Sequence, residues 1–347
     1  MNSRLTSALA ASGASAFLVT NPVNIAYLCG FSGSAGALLV LGSRAVLATD
    51  SRYAEVASQL DVEGLITREY TRSLLDLAQS QGISQVAFES EHLTWRQHDD
   101  LSGHGLDLLA TDHLVRTQRM IKDEREIVAI RRACEITSAA LLNTIDAVRA
   151  GISERELARI FLNSISDRGA DGTSFDPIVA IGANAARPHH QPTDATARPG
   201  DVVLFDVGAR VEGYCADLSR TVVLGQPSER IQVMHEVVLS AQKLAREAIA
   251  PGVSAGHIDQ IARSHIASAG FGDDFLHGTG HGIGLEIHEP PLLGSASEGM
   301  LEKNFVVTVE PGIYISGLGG VRIEDTVLVT ANGHESLTNV SRELTQC

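Results

Sequence analysis

Residues 201–208 read DVVLFDVG, and after a glycine at 213 the chain returns as YCADLSRTVVL, residues 214–224. The first segment is too continuously apolar for a half-exposed strand, so it is predicted as a buried strand that carries Asp206 near its end. The return segment places Asp217 on the second arm of a hairpin, where the two acids can face one another. A buried carboxylate without a partner is costly enough that it takes up a proton, pairs, or binds a cation.

The pattern recurs about a hundred residues on. Phe305 to Val309 lead into Glu310-Pro311-Gly312, and a glycine-rich turn precedes VRIEDT, residues 321–326, which carries Glu324. The acids are eleven residues apart in the first hairpin and fourteen in the second, and the return arms DLSRTVVL and IEDTVLV are alike. This is a degenerate internal repeat. Two such hairpins bring four carboxylates together, and only cations make that concentration of charge tolerable, so a dinuclear metal site is expected. Between the hairpins lies HGTGHGIGLEIHE, residues 277–289, whose glycines let backbone approach a ligand and whose His281 adds an imidazole. Imidazole with carboxylates, and no cysteine in the cluster, suits manganese, cobalt, iron or zinc. The glycines are not a phosphate loop, because the GxxxxGK[ST] lysine and the strand-GxGxxG-helix unit are both missing.

Farther out, the stretch 119–137 predicts a helix start with Asp123 as N-cap and Glu126 three residues on. A second helix over Leu157 and Ile160–Leu162 and a long one from Ile231 to Ala250, ended by Pro251-Gly252, follow. The first third alternates apolar β-type runs (16–20, 37–40, 45–48, 86–89) with helical stretches (53–60, 74–81), which predicts an α/β layer domain. The 347 residues favour two domains. A net charge of −15 disfavours nucleic acid and anionic membranes as partners, and no run of eighteen apolar residues offers a membrane span. Serines and a threonine interrupt any secretory signal at the start, which reads instead as a short helix running into a strand. Cys29, Cys134, Cys215 and Cys347 form no CxxC and no close pair, which suits reduced thiols and a cytoplasmic location.

The motifs DVGARVEGYCADLSRT (206–221), HGTGHGIGLEIHE (277–289), VVTVEPGIY (306–314) and GGVRIEDT (319–326) together resemble the pita-bread metallopeptidases, the group that includes aminopeptidase P, prolidase, creatinase and methionine aminopeptidase. FSGSAGALLVLGSRAVLATDSRY (31–53) resembles the creatinase-like N-terminal domain of the proline-specific members, which methionine aminopeptidases lack. The resemblance implies an α+β architecture: an N-terminal α/β creatinase-like domain over 1–115 and a pita-bread catalytic domain over 116–347. It also implies two divalent metal ions per subunit, manganese first with cobalt or zinc as substitutes. Asp206 would hold one ion, Asp217 and Glu324 would bridge both, and His281 with Glu310 would hold the other. Glu310 would also shuttle the proton. His189, in the segment IVAIGANAARPHHQPT (178–193), and His288 would serve substrate and catalysis, while Phe175 and Ile287 would line the proline pocket. A homodimer acting on small proline-containing peptides is implied, with Asp50 and Arg52 as contributors at the entrance. The activity implied is cleavage of Xaa-Pro dipeptides, favoured by His189-His190 in place of the His-Tyr usual in aminopeptidase P. Aminopeptidase P on longer peptides and a creatinase-like C–N hydrolase are the alternatives. Prolidases place an arginine after the second histidine or before the glutamate motif, but here 288–296 reads HEPPLLGSA. Arg322, Arg187 or His190 is left as the anchor for the substrate carboxylate.

Overall fold

The apolar runs of the first third become a six-stranded sheet: β1 (Ala16–Val19), β2 (Gly36–Leu41), β3 (Arg44–Thr49), β4 (Glu63–Ile66), β5 (Gln85–Glu89) and β6 (Asp107–Thr111), ordered β4-β3-β2-β1-β5-β6. In the computed structural model, which describes residues 3–347, this sheet belongs to the first of two units, divided between Arg119 and Met120. The boundary expected after residue 115 falls inside the helix Leu114–Met120. Helix Tyr70–Ser80 lays Leu74, Leu75 and Ala78 on the sheet core. Helix Pro22–Cys29 opens on an Asn21 side-chain cap with proline in its first turn and stops at Gly30, whose φ of 80° suits a residue without Cβ. Where one helix over 53–60 was expected, a 3-10 turn (Ser51–Tyr53) leads into a five-residue helix, Ala54–Ser58. Asp50 caps that turn by accepting from the Arg52 amide and guanidinium.

The second unit contains β7 (Gly172–Thr173), β8 (Ile178–Ile181), β9 (Val202–Val207), β10 (Ala209–Val211), β11 (Tyr214–Cys215), β12 (Leu218–Val223), β13 (Gly280–Gly282), β14 (Glu289–Leu293), β15 (Val306–Val309), β16 (Gly312–Ile315), β17 (Gly319–Arg322), β18 (Asp325–Thr330), β19 (Gly333–Ser336) and β20 (Thr345–Gln346). They form a sheet β20-β12-β9-β8, a sheet β14-β13-β15-β18-β19, and the smaller groups β11-β10-β7 and β16-β17.

Helices Glu124–Ile145 and Glu154–Asp167 each open on a complete capping box, Asp123 with Glu126 and Ser153 with Glu156. They pack with Val203, Phe205 and Val207 in one core. Helices Glu229–Glu247 and Ala255–Ser268 pack with Val202 and Leu204 in another, together with Val307, Val309, Val321 and Val327. β9 is thus covered on both faces, which is why its sequence does not alternate. Asp206 belongs to the face of Val202 and Leu204.

The two acid-bearing hairpins are β9–β12 and β15–β18. In the first, Asp206 lies opposite Ser219; in the second, Val309 lies opposite Asp325, so that Glu310 and Glu324 follow at the same end. Their return arms meet each other. Asp217 N–H donates to Thr326 Oγ1 (3.3 Å), Glu324 N–H to Ser219 O (3.1 Å) and Arg322 N–H to Thr221 Oγ1 (3.1 Å), an antiparallel stepping that joins the repeats. Arg220, 2% exposed, closes this junction. It donates to the carbonyls of Ser219, Glu324, Val340 and Ser341 and to Asp325 Oδ1.

Close backbone approach fixes the histidine strand. A Cβ on Gly280 would stand 2.1 Å from the carbonyl oxygen of Thr308 on β15. Gly280→Ala must therefore part β13 from β15, at a cost of about 1–3 kcal/mol or more for an overpacked backbone contact. We expect a thermal midpoint lowered by about 2–4 °C for each kcal/mol, read by calorimetry. An unchanged midpoint would mean that the strands are not held this close.

Candidate metal centre

A cavity of about 1200 Å³ opens in the second unit, and its lining includes Phe175, His189, Asp206, Asp217, His281, Ile287, His288, Glu310 and Arg322. Glu324 is 1% exposed, and ligand atoms of Asp217, His281 and Glu324 all lie within 4.8 Å of one another. His281 Nε2 is 3.6 Å from Asp217 Oδ2 and 3.4 Å from Glu310 Oε1. These ten of the fourteen residues nominated from sequence are thus gathered in one place. Asp50 and Arg52 are in the first unit, paired with each other at 2.7 Å.

The carboxylates are held in a particular way. Arg322 Nη2 donates to Asp206 Oδ2 (2.6 Å), Ser219 Oγ to Glu324 Oε2 (2.8 Å) and Thr308 Oγ1 to Glu310 Oε1 (3.3 Å). By contrast Asp206 Oδ1, Asp217 Oδ1 and Glu324 Oε1 are buried and have no hydrogen-bond partner among the described residues. Oriented acids with bare buried oxygens beside an imidazole are a donor set that fits hard or borderline divalent cations.

The electrostatics agree. Burial, then repulsion from Glu324, Asp206 and Glu310, pushes the Asp217 carboxyl well above the usual range. Glu324 is pushed up by burial and by Glu310 and Asp206. Burial raises Glu310 as well, against the opposing pull of His277 and Arg322. Burial lowers the imidazoles of His281, His277 and His288. Neutral histidines are the form that can ligate.

The three groups left as carboxylate anchors are placed differently. Arg322 borders the cavity but is 2% exposed, and its nitrogens are committed to Ser219 Oγ, Tyr314 Oη and Asp206 Oδ2. His190 is 5% exposed and bonds through Nε2 to Glu154 Oε2 at 2.8 Å. Arg187 is exposed, bonds to Asn184, and is not among the cavity-lining residues.

Glu154 and Tyr314 are residues that sequence reasoning missed. Fully buried Glu154 accepts from Ile181 N, Asn184 Nδ2, His190 Nε2 and both the amide and hydroxyl of Thr193, so one carboxylate ties down the segment that carries His189. Tyr314, its phenol pushed up to about 12 by burial, joins His277 Nε2 (2.8 Å) to Arg322 Nη1 (2.7 Å). Tyr314 was visible in VEPGIY, but a tyrosine in a strand signals nothing beyond β-propensity.

Residues 128–331 match the model of metallopeptidase family M24, and residues 2–121 that of the creatinase/prolidase N-terminal domain. The chain belongs to metallopeptidase family M24, with the creatinase-type N-terminal domain and the pita-bread fold. A Pyrococcus horikoshii protein named Xaa-Pro dipeptidase is 38% identical over 95% of this chain and 94% of its own length. The solved Xaa-Pro dipeptidase from Bacillus anthracis superposes with a TM-score of 0.96 at 36% identity, covering 99% of this chain and 98% of that one. The solved X-Pro aminopeptidase from Thermotoga maritima superposes at 0.93, also 36% identical, covering 100% and 99%. Family membership implies a hydrolase that uses divalent metal ions.

Ion binding requires the acids deprotonated and the imidazole neutral. Groups whose folded pKa is raised, such as Asp217, Glu310 and Glu324, contribute stability below the ordinary carboxylate pKa that is lost as pH rises through the folded values. The metal-free protein carries that penalty at neutral pH, and cations relieve it. We therefore expect the gain in thermal midpoint on adding Mn²⁺ to grow between pH 5.5 and pH 8. A gain that is flat or shrinks over this interval would place the ions elsewhere.

Proposed function

We propose that the chain hydrolyses the Xaa-Pro bond of dipeptides, with two divalent ions per subunit held by Asp206, Asp217, His281, Glu310 and Glu324, manganese first and cobalt or zinc as substitutes. The observation that carries this reading is the set of bare carboxylate oxygens of Asp206, Asp217 and Glu324 beside His281, beneath a cavity whose other walls hold His189 and His288. The dipeptidases among the similar proteins support the substrate class.

When bound, the ions would supply a water nucleophile at neutral pH and would polarise the scissile carbonyl. Glu310, its carboxyl raised by burial and its Oε1 held by Thr308, takes the proton from the attacking water and returns it to the leaving proline nitrogen. His189 and His288, both exposed to the cavity, donate hydrogen bonds to the carbonyl oxygen as it gains charge. The His288 ring is set edge-on to that of His281, with centroids 4.4 Å apart. Phe175 and Ile287, half-buried in the same wall, offer the apolar surface for the pyrrolidine ring. Proline lacks an amide hydrogen, so its position has to be read by shape.

A cytoplasmic homodimer completes the proposal. Support for the compartment comes from the four cysteines, all free thiols. No helix among the described residues is long and apolar enough to cross a membrane. Light scattering tests the dimer. A second reading, an aminopeptidase on longer peptides, is favoured by the size of the cavity and by the Thermotoga neighbour.

Steady-state kinetics on Ala-Pro and Ala-Pro-Ala separate the two. We expect the dipeptide to have the larger kcat/KM, whereas equal or better cleavage of the tripeptide makes this an aminopeptidase. His189→Ala should keep both ions by elemental analysis while kcat falls on the order of 10²–10³-fold, the usual cost of an oxyanion donor. Loss of an ion would reassign His189 to the metal centre.

A further inference from the structure

A dipeptide that ends in proline brings a carboxylate into a cavity whose walls already carry Asp176, Asp206, Asp217 and Glu310. That group needs a fixed cation. Of the described residues lining the cavity, Arg322 and Arg263 alone carry a permanent positive charge, and the Arg322 side chain is only 2% exposed. Arg263 is different. Its side chain, on helix Ala255–Ser268, is 34% exposed and lies in the wall of this cavity and of a second one of about 720 Å³.

We propose that Arg263 binds the substrate's terminal carboxylate, an inference that rests on the dipeptidase reading above. The guanidinium is pre-set for the task. Nε and Nη2 donate to both oxygens of buried Asp259 (2.9 and 3.0 Å), Nη2 also donates to His277 O (2.7 Å), and Nη1 to Phe275 O (3.3 Å). Its Cζ lies over the Phe275 ring, 4.4 Å from the centroid. This accounting leaves one Nη1 hydrogen without a partner. Asp259 in turn accepts from the amide and hydroxyl of Thr279, whose carbonyl accepts from Glu310 N, so the cation is built into the same frame as the centre. Ser295 and Ser297 line both cavities together with Arg263. A guanidinium whose conformation is already fixed loses little freedom on binding.

The test compares Ala-Pro with Ala-Pro-amide, which has the same shape without the charge, in the manganese-loaded enzyme. For the wild type we expect the acid to be preferred about 10- to 100-fold in kcat/KM, the range of a charge-assisted hydrogen bond. Arg263→Met should bring that ratio close to one, chiefly through KM for the acid, with both ions retained by elemental analysis. Arg263→Lys keeps a partner for Asp259 but not the fork, and should lower the ratio in the same direction. The ratio guards against general damage, because a disturbed fold slows both substrates alike. A wild-type preference that survives unchanged in both variants overturns the role of Arg263 and leaves the dipeptidase reading standing. A wild type that cleaves both substrates equally also overturns it. Failure of the loaded wild type to cleave Ala-Pro at all overturns the dipeptidase reading itself, and this inference with it.

Discussion

Mutual repulsion among Asp206, Asp217, Glu310 and Glu324 is the constraint around which the second unit is arranged. Four carboxylates within a desolvated pocket would, left alone, take up protons or drive the hairpins apart. The protein answers on one side only of three of these groups. Arg322, Ser219 and Thr308 hold one oxygen of Asp206, Glu324 and Glu310, while the opposite oxygens of Asp206 and Glu324, with Asp217 Oδ1, meet no donor. Such half-satisfaction would be a defect in an ordinary core. Here it faces the cavity, and it ties the folded shape to the cations that neutralise it.

The strands carrying those acids were legible because they break the usual rules. A strand covered on both faces should be uniformly apolar, so an aspartate near the end of DVVLFDVG stands out, and its recurrence in VVTVEPG turns one anomaly into a repeat. The capping box at Asp123/Glu126 rests on contacts three residues apart, and such local chemistry reads directly from sequence.

What escaped the sequence is non-local or weakly patterned. β4 and β6 are the two edges of their sheet, and their residues EGLI and DLLAT are mostly exposed or half-buried, so neither alternation nor a continuous apolar run marks them. Glu154 reads as an ordinary acid in the first turn of a helix; its donors lie 27 to 39 residues away and converge only in three dimensions. Arg322 was nominated for the right region, but its commitment to Asp206, across 116 residues, could not be inferred from position alone. The same holds for Arg263, whose helical spacing from Asp259 suggests only an i,i+4 surface pair.

Arg220 has one more consequence, which concerns time. Its guanidinium joins the two repeats by binding the carbonyls of Ser219 and Glu324 and the carboxylate of Asp325, and its remaining bonds are closed by Val340 and Ser341. Until residue 341 has left the ribosome, that buried charge lacks two of its four carbonyl partners. The lock on the junction between the repeats is therefore complete only once residues 340 and 341 are in place, however early the first hairpin forms.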